Sequence, residues 1–201
     1  MLRYTLVADG TSDRALLPII DWLIEQHWDQ PYQSQLAEHL PPLRSGLRHR
    51  IEVAYALYPC DVLFVHRDAE SATLARRTAE IARAIPDEVA IHVCVVPVRM
   101  MEAWLLSDHD AIREAADNPA GRSALALPNW RRWETLADPK VALREALQRA
   151  SELSGRKLRK FHPDSRRSRV AELTTDFSQL RALNAFQVLE ADVIATCAAL
   201  S

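Results

Sequence analysis

The chain has 201 residues, is 48% hydrophobic and 26% charged, and carries a formal net charge of -2. That is enough apolar mass for a real core, in one domain or in one domain with a small appendage. The charge balance argues against a uniformly basic nucleic-acid binder while leaving room for a local patch, and no apolar run approaches the roughly 20 residues that a membrane helix needs. Cys60, Cys94 and Cys197 lie far apart, form no CxxC pair and have no metal-ligand spacing. They read as buried thiols in a reducing compartment. The N-terminus, MLRYTLVADG, runs directly into a strand with no leader-like segment, so the expected location is cytoplasmic.

In chain order, Arg3 to Ala8 is short, apolar and rich in β-formers, which predicts a buried strand. Ser12 is a suitable N-cap and Asp13 a suitable first-turn acid for a helix carrying Leu16, Leu17, Ile20, Leu23 and Ile24 on one face. Pro18 is compatible with that helix only within its first turn. Residues 29–42 (DQPYQSQLAEHLPP) read as a loop with at most one helical turn, and Leu43 to Leu57 as a helix. Asp61 to Val65 is a second buried strand. Ser71 to Ile85 is a helix stopped by Pro86, and Val89 to Val98 is a third strand whose pairing ends by Pro97. Met101 starts another helix with MEAWLL.

The first hundred residues therefore alternate strand and helix. This predicts an α/β fold with a mostly parallel sheet flanked by helices, and a site at the carboxyl ends of the strands. The second half changes character. Helices are expected over Asp108 to Ala116, Pro139 to Leu153, and Ala171 to Ser201 with a break near Asp176. The division expected is an α/β core over 1–110 and a helical extension over 111–201 packed on it.

Charged residues come after each predicted strand. Asp9-Gly10-Thr11 succeeds the first and His66-Arg67-Asp68-Ala69-Glu70 the second, while Glu102 lies just past the third. Asp-Gly-Thr after a first strand is half of the haloacid-dehalogenase phosphatase signature. The nucleophile position is Val7, which cannot attack phosphorus, so that reading fails. Carboxylates gathered at one edge repel one another unless a cation or shared protons offset the repulsion. Hard oxygen donors without cysteine favour Mg²⁺ or Mn²⁺ over zinc, and such an ion activates water and stabilises charge on a phosphodiester.

Three stretches taken together are more specific: Ala8-Asp9-Gly10-Thr11-Ser12-Asp13, Val65-His66-Arg67-Asp68-Ala69-Glu70, and Val98-Arg99-Met100-Met101-Glu102-Ala103-Trp104-Leu105-Leu106. In this order the chain resembles small bacterial Toprim-like proteins of unknown function. These are related to the Toprim domains of topoisomerases, primases and the overcoming-lysogenization-defect nucleases. The resemblance covers roughly residues 1–110. It implies a Toprim-like sheet and a metal-dependent phosphodiesterase, a nuclease, in which Asp9, Asp68 and Glu70 hold Mg²⁺ or Mn²⁺ and Glu102 assists. It also implies phage defence beside a partner ATPase on a separate chain, since no Walker A motif occurs here.

The sequence departs from the family pattern in two places. The usual Glu of the first turn is Asp9, one methylene shorter. The later Asp-x-Asp reads in two registers, Asp68 with Glu70 or His66 with Asp68, and both registers keep Asp68.

Several features also have plainer roles. Asp13 serves equally as a helix-start charge and Glu102 as a helix cap. Arg67 and Arg99 either hold the acids or touch phosphate. The basic stretch 155–169 carries Arg156, Lys157, Arg159, Lys160, Arg166, Arg167 and Arg169 against Asp164 alone. It is either a solvated face or the surface that grips a polyanion. By loose analogy with the nuclease lysine of the family, Lys157 and Lys160 are the candidates for a transition-state cation. Trp130 and Trp133 suit core packing better than base stacking. The alternative to a nuclease is a non-catalytic Toprim-fold binding or regulatory subunit.

Overall fold

A computed structural model describes all residues, 1–201. Four parallel strands form one sheet in the order β2-β1-β3-β4. They are β1 (Leu2–Val7), β2 (Tyr32–Leu36), β3 (Val62–His66) and β4 (His92–Val95). Around them lie α1 (Leu17–His27), α2 (Leu47–Leu57), α3 (Leu74–Ala84), α4 (His109–Ala115), α5 (Pro139–Ser151), α6 (Gly155–Lys160), α7 (Arg167–Leu173) and α8 (Asn184–Leu200). The α/β class with a helical C-terminal region, expected from the alternation of strand and helix, is what the chain forms.

Alternation along each strand sorts side chains to opposite faces. Tyr4, Leu6, Val62, Phe64, Val93 and Val95 enter a large core of 40 buried residues. Val7, Leu63 and Val65 enter a smaller one of 10, capped by Ile51 of α2 and Ile81 of α3. The chain leaves β1 through α1 on the first face to reach β2. It then returns across the sheet through α2 on the second face to reach β3. The connections therefore diverge beside β1 and β3, and a crevice opens at the carboxyl end of such a switch point.

The larger core continues without interruption into the C-terminal half. Leu143 and Leu147 of α5, Val170 of α7, and Phe186, Leu189 and Val193 of α8 belong to it. Trp104 meets Phe186 edge-on, with ring centroids 5.5 Å apart. No helix is long and apolar enough to cross a membrane.

Several elements differ from expectation. The expected loop 29–42 contains β2, an edge strand paired with β1 from Leu2↔Tyr32 to Leu6↔Leu36. Its sequence, YQSQL, has weak strand propensity. Backbone pairing, the Tyr4–Tyr32 ring contact and the Gln35 amide donating to Thr5 Oγ1 (2.9 Å) hold it instead. The third strand is only His92–Val95, shorter than Val89 to Val98. Residues 11–16 and 101–106 are 3₁₀ turns rather than α-helix. Consequently Pro18 falls in the first turn of α1, where its missing N–H costs nothing. Gly10, not Ser12, caps the 11–16 turn, with the Asp13 carboxylate accepting from its N–H at 2.9 Å. The helical stretch 171–201 starts earlier, at Arg167, and breaks between Leu173 and Asn184 around Asp176.

Because Phe186 is fully buried against Trp104 and Trp22, Phe186→Ala is expected to cost about 3–5 kcal/mol. Denaturant unfolding followed by circular dichroism will measure this. The shared core predicts that sheet and C-terminal helices still melt in one transition.

Candidate functional site

The carboxyl ends of β1 and β3 bring together residues from three separate stretches. Parallel register sets Val7 beside Val65, so the residues just past both strands emerge at one edge. His66 lies on the large-core side and is only 1% exposed. Its Nδ1 lies 3.0 Å from the Val95 carbonyl, so Nδ1 carries the proton and donates. In the neutral ring, Nε2 then presents a lone pair. It sits 3.7 Å from Asp68 Oδ1 and 4.0 Å from Asp13 Oδ2, outside hydrogen-bond reach of either. Burial lowers the His66 pKa from its ordinary value, which keeps the ring neutral.

Asp68 is the most perturbed acid of the cluster. Its side chain keeps 26% exposure, yet its pKa is pushed up to about 8, first by burial and then by the charges of Glu102 and Asp13. The Met101 N–H donates to Asp68 Oδ1 at 2.9 Å and only partly opposes this rise. That bond ties the loop after β3 to the 101–106 turn. Asp9 is also raised by burial, against the opposing pull of Arg67. Arg67 leaves β3 on the other face, bonds Asp9 Oδ2 at 3.0 Å, and reaches Glu80 of α3 at 3.1 Å.

Glu102 is buried and ion-paired with Arg167 at 3.0 Å, which joins the 101–106 turn to α7. Glu70 behaves differently. It takes a left-handed backbone conformation (φ 53°), and its side chain is 68% exposed and directed to Arg77 at 3.6 Å. The acids acting most strongly on Asp68 are Glu102, Asp13 and Asp9. The structure thus clusters His66, Asp68, Asp13, Asp9 and Glu102 around the ends of β1 and β3, with His66, Asp13 and Glu102 buried, and turns Glu70 away.

The basic stretch is divided as well. Arg166, Arg167 and Arg169 each have a carboxylate partner, in Asp117, Glu102 and Glu172. Asp164, the one acid expected to face them, pairs instead with Arg144. Arg156, Lys157, Arg159 and Lys160 on α6 are exposed, and none has a carboxylate within 4.0 Å. Trp133 is core, with its indole N–H donating to the Pro128 carbonyl at 3.0 Å, whereas Trp130 is exposed beneath the Arg131 guanidinium. Sequence reasoning did not single out Arg50 or Glu80. Both lie on helices, and only the tertiary fold carries them to the strand ends.

For a divalent ion, the donor set fits in charge and type: carboxylates that lack a cation of their own, and an imidazole oriented through its other nitrogen. It is not a finished cage. No three His, Cys, Asp or Glu side chains surround a common point closely enough to hold an ion. Adjacent donors around a bound Mg²⁺ stand about 3 Å apart, so for His66 and the carboxylates to be adjacent ligands the 3.7 and 4.0 Å separations would have to close. No family model, no curated protein and no solved structure matches this chain.

Asp68 gives a pH test. Its unfolded-state pKa is about 3.9, and its folded value is about 8. Between the two, the folded state holds the proton that the unfolded state has lost, so this residue's stabilisation is complete below about pH 4 and lost as pH rises through about 8. In metal-free buffer, wild type is therefore expected to lose Tm relative to Asp68→Asn between pH 5 and 8.5. Parallel Tm curves for the two proteins would show that the carboxyl is unperturbed.

Proposed function

We propose that this protein is a Toprim-type, divalent-metal-dependent phosphodiesterase acting on nucleic acid. The observation that carries the reading is Asp68. A carboxylate at the switch-point crevice, raised to about 8 by burial and neighbouring acids, is held in a state that a divalent cation would relieve. Asp68 and Asp13 are the carboxylates suited to hold the ion, with His66 Nε2 facing both. An imidazole donor favours Mn²⁺ over Mg²⁺. When bound, such an ion activates water and stabilises charge on phosphorus. Asp9 contributes less directly, because Arg67 already neutralises it. Glu102 sustains the negative potential from beneath while fixed by Arg167. Glu70, expected from the motif as a ligand, would have to leave Arg77 to take that role. The four free cations of α6, Lys157 and Lys160 included, supply a surface for a polyanionic backbone. In a family of this kind a partner ATPase would be a separate chain.

A second reading draws on a specific observation. Asp9 and Glu102 each have their own arginine at 3.0 Å. Acids neutralised in this way suit a binding or regulatory Toprim-fold subunit that does no chemistry.

Metal-dependent melting separates the two. In the first reading, Mn²⁺ at 100 times its dissociation constant stabilises wild type by about 2.7 kcal/mol, Mg²⁺ does so less at equal concentration, and Asp68→Ala responds to neither. Nuclease assays on DNA and RNA with the same proteins should show Mn²⁺-dependent cleavage that Asp68→Ala abolishes. A wild-type Tm indifferent to both ions would favour the subunit.

A further inference from the structure

On the second face of the sheet, a cavity of about 260 Å³ opens between the tips of β1 and β2. Ala8, Asp9, Gly10 and Thr11 wall it on one side, residues 36–40 on the other, and Arg50 of α2 lies beneath. Arg50 is only 5% exposed. Its two terminal nitrogens donate to the carbonyls of Ala8 and Pro41, and its Nε–H, closed to solvent, has no partner. No carboxylate lies within 4.0 Å of it.

The charges around the cavity are unequally paired. Asp9 is held by Arg67 at 3.0 Å, and Glu38 by Arg14 at 2.6 Å. Arg67 is shared with Glu80, so what sets Arg50 apart is that it is buried with no carboxylate within 4.0 Å. A buried cation paired only with neutral carbonyls carries a desolvation cost that an anion would offset. Guanidinium suits phosphate in particular, since its planar fork matches the oxygens. The position also suits phosphate, beside Asp9 at the carboxyl edge of a parallel sheet.

We propose that this cavity is a phosphate subsite with Arg50 as its cation. It takes a phosphate group, either a terminal phosphomonoester or an internal phosphodiester. The assignment of that phosphate to a nucleic-acid substrate rests on the proposed phosphodiesterase reading; the subsite itself does not. It lies on the opposite face of the sheet from the side chain of His66, so a substrate strand seated here would pass over the β1 tip toward Asp68.

The test uses the full chain in metal-free buffer with chelator, so that the acidic crevice plays no part. Inorganic phosphate at millimolar concentration is expected to raise the wild-type Tm by several degrees. Thr11→Glu, an exposed position that adds a carboxylate to the lining, should fold normally and lose that shift. Arg50→Lys, which keeps the charge and loses the fork, should need at least tenfold more phosphate. Asp68→Ala should keep the phosphate shift and, in a separate titration without chelator, lose any response to Mn²⁺.

Thymidine dinucleotide with and without a 5′-phosphate distinguishes the two sources. Tighter binding of the phosphorylated form assigns a terminal phosphomonoester and equal binding an internal diester; both uphold the subsite, provided Thr11→Glu weakens them. No phosphate shift in wild type, or an equal shift in Thr11→Glu, overturns it. A phosphate shift without any metal response would leave the subsite standing and remove the phosphodiesterase reading. A metal response without a phosphate shift would do the reverse.

Discussion

Everything at the crevice depends on the parallel pairing of β1 with β3. The register Tyr4↔Val62 to Val7↔Val65 fixes where two stretches of chain nearly sixty residues apart leave the sheet. A slip of one residue would exchange the faces of His66 and Arg67. As paired, His66 turns toward Asp13 and Asp68, while Arg67 turns toward Asp9 and Glu80. The same alternation that buries Phe64 and Val65 on opposite faces thus separates a neutral imidazole from a guanidinium.

The two faces consequently differ in electrostatic character. On the large-core face, Asp68 and Asp13 have no arginine within 4.0 Å, and burial with repulsion raises Asp68. On the other, Arg67 bridges Asp9 and Glu80, Arg77 joins Glu80 and Glu70, and Arg50 is buried with no carboxylate within 4.0 Å. The C-terminal half takes part in this arrangement, because Arg167 of α7 is the counter-charge that lets Glu102 remain buried behind Asp68. A buried pair of this kind contributes little net stability, but removing one member strands the other.

Much of this was legible beforehand. Apolar runs at Arg3 to Ala8 and Asp61 to Val65 announce buried strands, because a strand covered on both faces must be apolar throughout. The strand edge β2 was not legible, since Gln33, Ser34 and Gln35 carry no hydrophobic pattern and only the open edge of β1 recruits them. The acids at strand ends were legible one by one. Which of them meet was not. The sequence alone leaves open whether His66 or Glu70 lies beside Asp68; in the structure His66 Nε2 is 3.7 Å from Asp68, and Glu70, in a left-handed conformation, is directed toward Arg77.

The sequence by itself determined the class of fold, the places where strands end in acids, and the presence of a basic segment, because these arise from local periodicity and composition. Tertiary structure alone decided which charges are partnered. Arg167 is taken by Glu102 and Arg67 by Asp9, whereas Arg50 is buried with none. Side-chain charge is written residue by residue, but its pairing depends on distances that only the register of the sheet and the packing of helices upon it can set.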